Sequence, residues 1–221
     1  TYWQILPLGP TGYGDSPYQS FSTFAGNPYL ISLEDLIAQG LLSEEEAAAG
    51  AGADYGRAGS DAVEDADPDA GRVDYEGLYD GRMEMLQTAY HRFDSAVEGA
   101  SVVTGSREFR EFCDDNEEWL DDYALFMALR ERFGRELSWD EWPEALQRRE
   151  AWAMDEARAE CADGIGFYKW TQFEFYRQWA ALKAYANTAG VKITGKDLLE
   201  KFGVTGEALI AVITAYTDCI K

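Results

Sequence analysis

Gly9-Pro10-Thr11-Gly12-Tyr13-Gly14-Asp15-Ser16-Pro17-Tyr18-Gln19-Ser20 follows directly on the apolar run Tyr2-Trp3-Gln4-Ile5-Leu6-Pro7-Leu8, and this junction decides how the chain is read. A short apolar run bounded by Gly and Pro suits a buried, central parallel strand better than an edge strand. From Gly9 to Pro28 the sequence is crowded with Gly, Pro, Ser, Asp and Asn, so a long loop is expected to leave the end of that strand. Loops of this length are functional or disordered, and the aromatic content of this one argues against disorder. Because the strand-like run begins at position 2, the chain is expected to start inside a domain.

Beyond the loop, Ser32 ahead of Glu34 and Asp35 predicts a helix start, and Ser43 ahead of Glu44, Glu45 and Glu46 predicts a second. Residues 51 to 72, rich in Gly, Ala and Asp with little apolar periodicity, are expected to form an exposed, mobile acidic loop. From Tyr75 to Phe93 the residues Leu78, Tyr79, Met83, Leu86, Tyr90 and Phe93 recur at the spacing of one helix face. Similar stripes run through Phe109 and Phe112, through Trp119, Tyr123, Phe126 and Leu129, and through Phe167, Trp170, Phe173, Tyr176, Trp179 and Leu182. Helical propensity stops near Asn187, and Gly190-Val191-Lys192-Ile193-Thr194 reads as the start of a second strand. A strand, a helical excursion and a strand make an α/β protein with an oversized crossover. The divisions expected are a strand and loop over 1–32, a mainly helical insertion over 33–187, a strand start over 188–195, and a tail of two short helices over 196–221. No internal repeat is present.

The chain has 221 residues, enough for one domain or for a compact domain with a large insertion. Nineteen Lys and Arg against 41 Asp and Glu give a formal charge of −22, a field that repels phosphate backbones and anionic lipid surfaces, so nucleic acid and membrane are excluded as partners. A neutral polyol neither gains nor loses much in such a field. The acidity is also what solubility alone would produce. Seven Trp, thirteen Tyr and eleven Phe can serve a core or platforms for stacking sugar rings, and composition does not separate the two uses. Cys113, Cys161 and Cys219 are odd in number and widely spaced, which argues against a disulfide framework or zinc spacing and predicts a cytoplasmic setting. No apolar run is long enough to span a membrane, and no secretory leader pattern opens the chain.

The loop through Ser20, with its continuation Ala25-Gly26-Asn27-Pro28-Tyr29, is similar to the signature of the amylomaltase or disproportionating-enzyme family of 4-α-glucanotransferases. The resemblance persists through Trp119-Leu120-Asp121-Asp122-Tyr123-Ala124-Leu125-Phe126-Met127-Ala128-Leu129 and through Gln178-Trp179-Ala180-Ala181-Leu182-Lys183-Ala184-Tyr185-Ala186-Asn187. It covers about residues 1 to 194, apart from the acidic loop, and breaks where Gly195 is followed by Lys196-Asp197-Leu198-Leu199. What it implies is a fragment of a (β/α)8 barrel carrying a large helical insertion, mostly helical with one or two barrel strands, and with this loop at the carboxyl end of a strand. Residue chemistry agrees. A sugar site needs flat apolar faces for the C–H side of the ring and short polar groups for its hydroxyls, and Tyr13, Asp15, Ser16, Tyr18 and Gln19 supply both. By composition alone a sugar site and a structural turn weigh equally. Gly12 and Gly14 let backbone come close, while Pro10 and Pro17 reduce the freedom lost on binding.

The resemblance further implies that Asp15, Ser16 and Tyr18 line the subsites beside the scissile bond, and that Tyr13 belongs to a separate glucan groove shared with a tyrosine of the helical insertion. Tyr79 is the match for that partner, with a core position as the alternative. The implied activity is transfer of α-1,4-glucan segments by a retaining double displacement, which needs a carboxylate nucleophile and a carboxylic acid about 5 Å apart. The family takes these from later strands. The one histidine, His91, lies in Tyr90-His91-Arg92-Phe93 on a predicted helix, and is read as exposed rather than catalytic. Asp114-Asp115, Glu117-Glu118 and Asp121-Asp122 are adjacent on helices and point in different directions, so they are read as solvated faces. No catalytic residue is therefore assigned, and no phosphate loop or metal spacing is present, so no cofactor is expected. The partners expected are α-1,4-glucans and maltooligosaccharides. The alternative is a non-catalytic glucan-binding or helical interaction protein.

Overall fold

The computed structural model describes residues 1–11, 16–50, 75–98, 104–135 and 137–194. The tail expected over 196–221 and the acidic loop expected over 51–72 lie outside them. Two short strands, β1 (Tyr2–Gln4) and β2 (Lys192–Thr194), pair in parallel in the register Tyr2 to Lys192, Trp3 to Ile193 and Gln4 to Thr194. Between them run α1 (Leu33–Ala38), α2 (Glu44–Gly50), α3 (Tyr75–Glu98), α4 (Thr104–Asp115), α5 (Glu117–Phe133), α6 (Glu144–Gln147), α7 (Ala151–Glu160) and α8 (Ala162–Thr188). Parallel strands need a crossover, and here everything from the loop to α8 is that crossover. The architecture is a mostly helical layer with two parallel strands.

The opening strand departs from expectation. It holds three residues, and Tyr2, Trp3 and Leu6 are 67%, 47% and 58% exposed. An apolar parallel strand is buried only when other elements cover both its faces, and among the described residues β1 has a single neighbouring strand. Ile193 of β2 is the buried member of the pair. Gly190, at φ +73°, lets the chain turn out of α8 into β2, its N–H bonding to Asn187 O at 3.0 Å while Val191 N–H reaches Ala186 O at 2.9 Å. This is the glycine helix stop.

The core lies where α3, α5 and α8 meet. The stripe of α3 buries Met83, Leu86, Tyr90 and Phe93, α5 buries Tyr123, Ala124, Met127 and Ala128, and α8 contributes Phe167, Trp170 and Phe173. Trp170 is completely buried and its ring lies 5.9 Å from Tyr90 and 6.1 Å from Phe93, while Phe173 meets Phe109 and Phe112 of α4 at 5.6 and 5.8 Å. Leu182, last in the α8 stripe, is 43% exposed, so the helix emerges from the core before it ends. Cys113 and Cys161 are free thiols, and no described helix is long and apolar enough to cross a membrane.

Local capping follows the sequence. Ser32 caps α1, its hydroxyl accepting Asp35 N–H at 3.1 Å. Ser43 and Glu46 exchange bonds, Ser43 N–H to Glu46 Oε2 at 2.9 Å and Glu46 N–H to Ser43 Oγ at 3.2 Å, the reciprocal arrangement of a capping box. Arg92 of α3 then fastens α2, donating to Leu41 O at 3.1 Å and to both Glu46 oxygens at 2.7 and 2.5 Å.

The face of α8 turned toward the chain's first forty residues is polar yet buried. Gln172 is fully buried, and its amide takes both backbone groups of Gly26: Gly26 N–H donates to Oε1 at 2.7 Å and Nε2 donates to Gly26 O at 3.1 Å. Two turns on, Gln178 treats Ser32 the same way, at 2.7 and 3.4 Å. Glu174, 1% exposed, receives Arg177 at 2.8 Å and Gln39 at 3.3 Å, and Arg177 also pairs with Asp35.

Two predictions follow from these contacts. A Cβ on Gly26 would lie 2.0 Å from Cδ1 of Phe175, so Gly26→Ala should destabilise the chain by about 1–3 kcal/mol through overpacking; an unchanged urea midpoint would contradict the close approach. Hydrogen bonds from Arg92, then from Ser43, hold the Glu46 carboxyl down at about 2, below its ordinary 4.5. A depressed carboxyl stabilises the fold above its unfolded value and loses that contribution as pH falls through its folded one. Glu46→Gln should therefore flatten the loss of melting temperature between pH 4.5 and 2 relative to wild type, and parallel curves would refute the linkage.

Candidate functional site

The loop between β1 and α1 is closed at its base by Asn27 N–H donating to Leu8 O at 2.8 Å. Its tip is a turn. Gln19 N–H returns to Ser16 O at 3.0 Å with Pro17 in the second position, and Tyr18 N–H reaches Ser16 Oγ at 3.3 Å, the chemistry a Ser-Pro turn favours. Tyr18, 73% exposed, and Gln19 are presented to solvent, while Ser16 is half-buried beneath them. Tyr13 and Asp15, with Gly12 and Gly14, lie outside the described residues.

The returning arm is held quite differently. Ser20 Oγ donates to Ser22 O at 2.8 Å and Ser22 Oγ accepts Ala25 N–H at 3.0 Å, which folds the arm on itself. Phe21 lies 6.4 Å from Phe126 and under the Arg130 guanidinium at 5.5 Å. Phe24 stacks on Trp119 at 5.9 Å and 24°, and Tyr176 donates its hydroxyl to Phe24 O. Gln172 then takes Gly26. Burial raises the Tyr176 phenol above its ordinary value, so it remains a donor at neutral pH. The loop thus has an arm clamped to α5 and α8 and, among the described residues, a tip whose hydrogen bonds are within the turn.

Tyr79 sits in another set of contacts, where α3, α5 and α8 converge. Its hydroxyl donates to Glu131 Oε1 at 2.8 Å, the oxygen that also accepts Tyr168 at 3.1 Å. Arg135 covers its ring at 4.2 Å and Tyr29 meets it edge-on at 6.3 Å. Burial first, and the Glu131 charge second, hold the Tyr79 phenol well above the usual phenol range. A shallow depression lies beside it, lined by Tyr79, Glu131, Arg135 and Tyr168.

Other titratable groups among the described residues are engaged or solvated. His91 is 61% exposed and 3.6 Å from Asp163. Asp114, Asp115, Glu117 and Glu118 are exposed, Asp121 pairs with Lys169 at 2.5 Å and Asp122 with Arg149 at 2.8 Å. What the described part of the loop offers chemically is an exposed ring with a phenol, an amide and a hydroxyl, the kinds of group that can stack on and hydrogen-bond a polyol. The residues that fasten it, Phe21, Phe24, Trp119, Gln172 and Tyr176, were not singled out as functional from sequence. Gln172 alone left a trace there, as an amide inside the run Phe167-Tyr168-Lys169-Trp170-Thr171-Gln172-Phe173.

Comparison with known proteins places these features. A family model described as 4-alpha-glucanotransferase matches residues 1–199. The chain is 43% identical over 195 residues to a 4-alpha-glucanotransferase of Streptococcus pneumoniae and 45% identical over 195 residues to that of Thermus thermophilus, in each case across 88% of this chain and 34% of the relative. Among solved structures, amylomaltase from Streptococcus agalactiae in complex with acarbose superposes with a TM-score of 0.69 at 36% identity, over 87% of this chain and 34% of that one. The chain spans about a third of the length of the relatives it matches. With a family model matching residues 1–199 and a fold that matches an amylomaltase over 87% of the chain, the chain belongs to the 4-alpha-glucanotransferase family.

Proposed function

We propose that this chain forms the glucan-binding loop and helical layer of a 4-α-glucanotransferase that transfers α-1,4-glucan segments to acceptor sugars. In this reading β1 and β2 are neighbouring strands of a (β/α)8 barrel, the helices between them are an insertion, and the loop after β1 stands at the barrel mouth, where such folds bind substrate. Asp15, Ser16 and Tyr18 line the subsites beside the bond that is cut, and Gln19 adds an amide for sugar hydroxyls. Tyr79 is the insertion's tyrosine toward the second groove that Tyr13 enters. The observation that carries the reading is the presentation of Tyr18 on an outward turn whose stem is fixed to the helical layer. That an amylomaltase similar to this chain was solved with acarbose supports a saccharide ligand.

The chemistry is a double displacement. A carboxylate attacks the anomeric carbon as the glycosidic C–O bond breaks and the leaving oxygen takes a proton from a carboxylic acid; an acceptor sugar hydroxyl then displaces the carboxylate and returns the proton. Both carboxyl groups are assigned to later barrel strands. The acids described above support this, since they are solvated singly or engaged by Lys169, Arg149 and Arg177. The role left to this chain is binding: ring stacking, and hydrogen bonds that hold a glucan across the site.

Two measurements test the reading. The purified chain should release no glucose from maltotriose, and robust turnover would overturn the assignment of the carboxylates elsewhere. Calorimetric titration with maltoheptaose should show millimolar or tighter binding, reduced roughly tenfold in Tyr18→Ala, the size of losing one aromatic contact. Binding indifferent to Tyr18→Ala would remove the loop from the site.

A further inference from the structure

We infer that Gln172 is a positioning residue for glucan binding: through the two backbone groups of Gly26 it fixes the loop that presents Tyr18. The inference rests on the proposed glucan-binding role of that loop. Gln172 is completely buried on α8, and both ends of its amide are spent on one residue 146 positions earlier in the chain. An amide is a costly group to bury for packing alone, because each end must find a partner. An apolar side chain would fill the same space and leave Gly26 N–H and C=O unpartnered instead.

The location of the pair gives it its effect. Gly26 adjoins Asn27, whose N–H closes the loop on Leu8 O at 2.8 Å, so Gln172 acts at the hinge of the stem. Ahead of it the arm is guided by the Tyr176 hydroxyl on Phe24 O and by Phe24 on Trp119. Among the described residues the tip's hydrogen bonds run through Ser16, and the arm seated by Gln172 is what joins it to the helical layer. A small rotation at Gly26 is therefore magnified at Tyr18, and misplacement of a binding group by about 1 Å can cost as much as 100-fold.

Gln178 provides an internal comparison, because it sits on the same helix and makes the same paired bonds, but to Ser32, outside the loop. The experiment measures maltoheptaose affinity, melting temperature and amide hydrogen exchange at Tyr18, Gln19 and Gly26 in the 221-residue chain and in Gln172→Met, Gln178→Met and Tyr176→Phe. Gln172→Met is expected to weaken binding roughly tenfold or more and to speed exchange at all three amides. Tyr176→Phe, which keeps the ring, should act in the same direction with a smaller effect. Gln178→Met should lower the melting temperature while leaving affinity and loop exchange as in wild type.

If Gln172→Met and Gln178→Met lower affinity equally and in step with melting temperature, the role of Gln172 is structural only and the inference is overturned. Should Gln172→Met not fold, Tyr176→Phe decides alone: unchanged affinity and exchange overturn the inference. Should the wild type not bind maltoheptaose, the glucan reading falls by itself, and exchange judges the anchor, with faster exchange in Gln172→Met than in Gln178→Met sustaining it and equal rates overturning it.

Discussion

Backbone that runs across the side of a helix has no ladder to join, yet its N–H and C=O groups still require partners once water is excluded. Between Gly26 and Ser32 backbone bonds serve the N–H groups of Asn27, Leu30 and Ile31, and side chains take much of the rest: Gln172 takes Gly26, Gln178 takes Ser32, and the buried Arg82 donates to Tyr29 O and Ile31 O, each at 3.2 Å. An orphaned group in such a place costs roughly 1–3 kcal/mol, so three side chains from two helices decide whether the segment lies down at all. The loop ahead of the segment, with Tyr18 on it, depends on the seating of Gly26 by Gln172, and α1 after it on the seating of Ser32 by Gln178.

The same helix performs a second task. Phe167, Trp170 and Phe173 of α8 complete an aromatic lattice with Tyr90, Phe93, Phe109 and Phe112. Edge-on and tilted rings of this kind add about 0.5–1.5 kcal/mol per pair beyond the area they bury. Because one helix carries both the aromatic lattice and the amides, the loop is referenced to the buried core. A binding group on a loop gains precision from such a scaffold at little cost to the loop's own freedom.

Much of this was legible in the sequence, for physical reasons that can be named. The helical stripes of α3, α5 and α8 follow from a spacing that buries one side of a helix, and Ser32 and Ser43 mark helix starts because a hydroxyl satisfies the amides that open a helix. The parallel pairing of the two ends followed from strand, helices and strand in order. The exposed faces of β1 were not legible, since an apolar run gives no sign of whether other elements cover it. Of the candidate site, Tyr18 and Gln19 are picked out in the sequence by their chemistry, and the structure has them on the surface. Tyr79 was left between groove and core by its sequence, and its hydroxyl and ring are occupied by Glu131 and Arg135. The clamp of Gln172, Tyr176, Phe24 and Trp119 joins residues far apart in the chain, and single-chain periodicity carries no information about such pairs.

The strand pair also bears on how the molecule assembles. Tyr2 and Lys192 are neighbours in space but lie at opposite ends of the described chain. Joining them closes a ring of chain through every helix, and contacts of that separation are slow to form because closure entropy is spent before any reward arrives. Helices need only near neighbours and condense early. On this ground the two-stranded ribbon is expected to set after the helices, a seam drawn shut by the helical body.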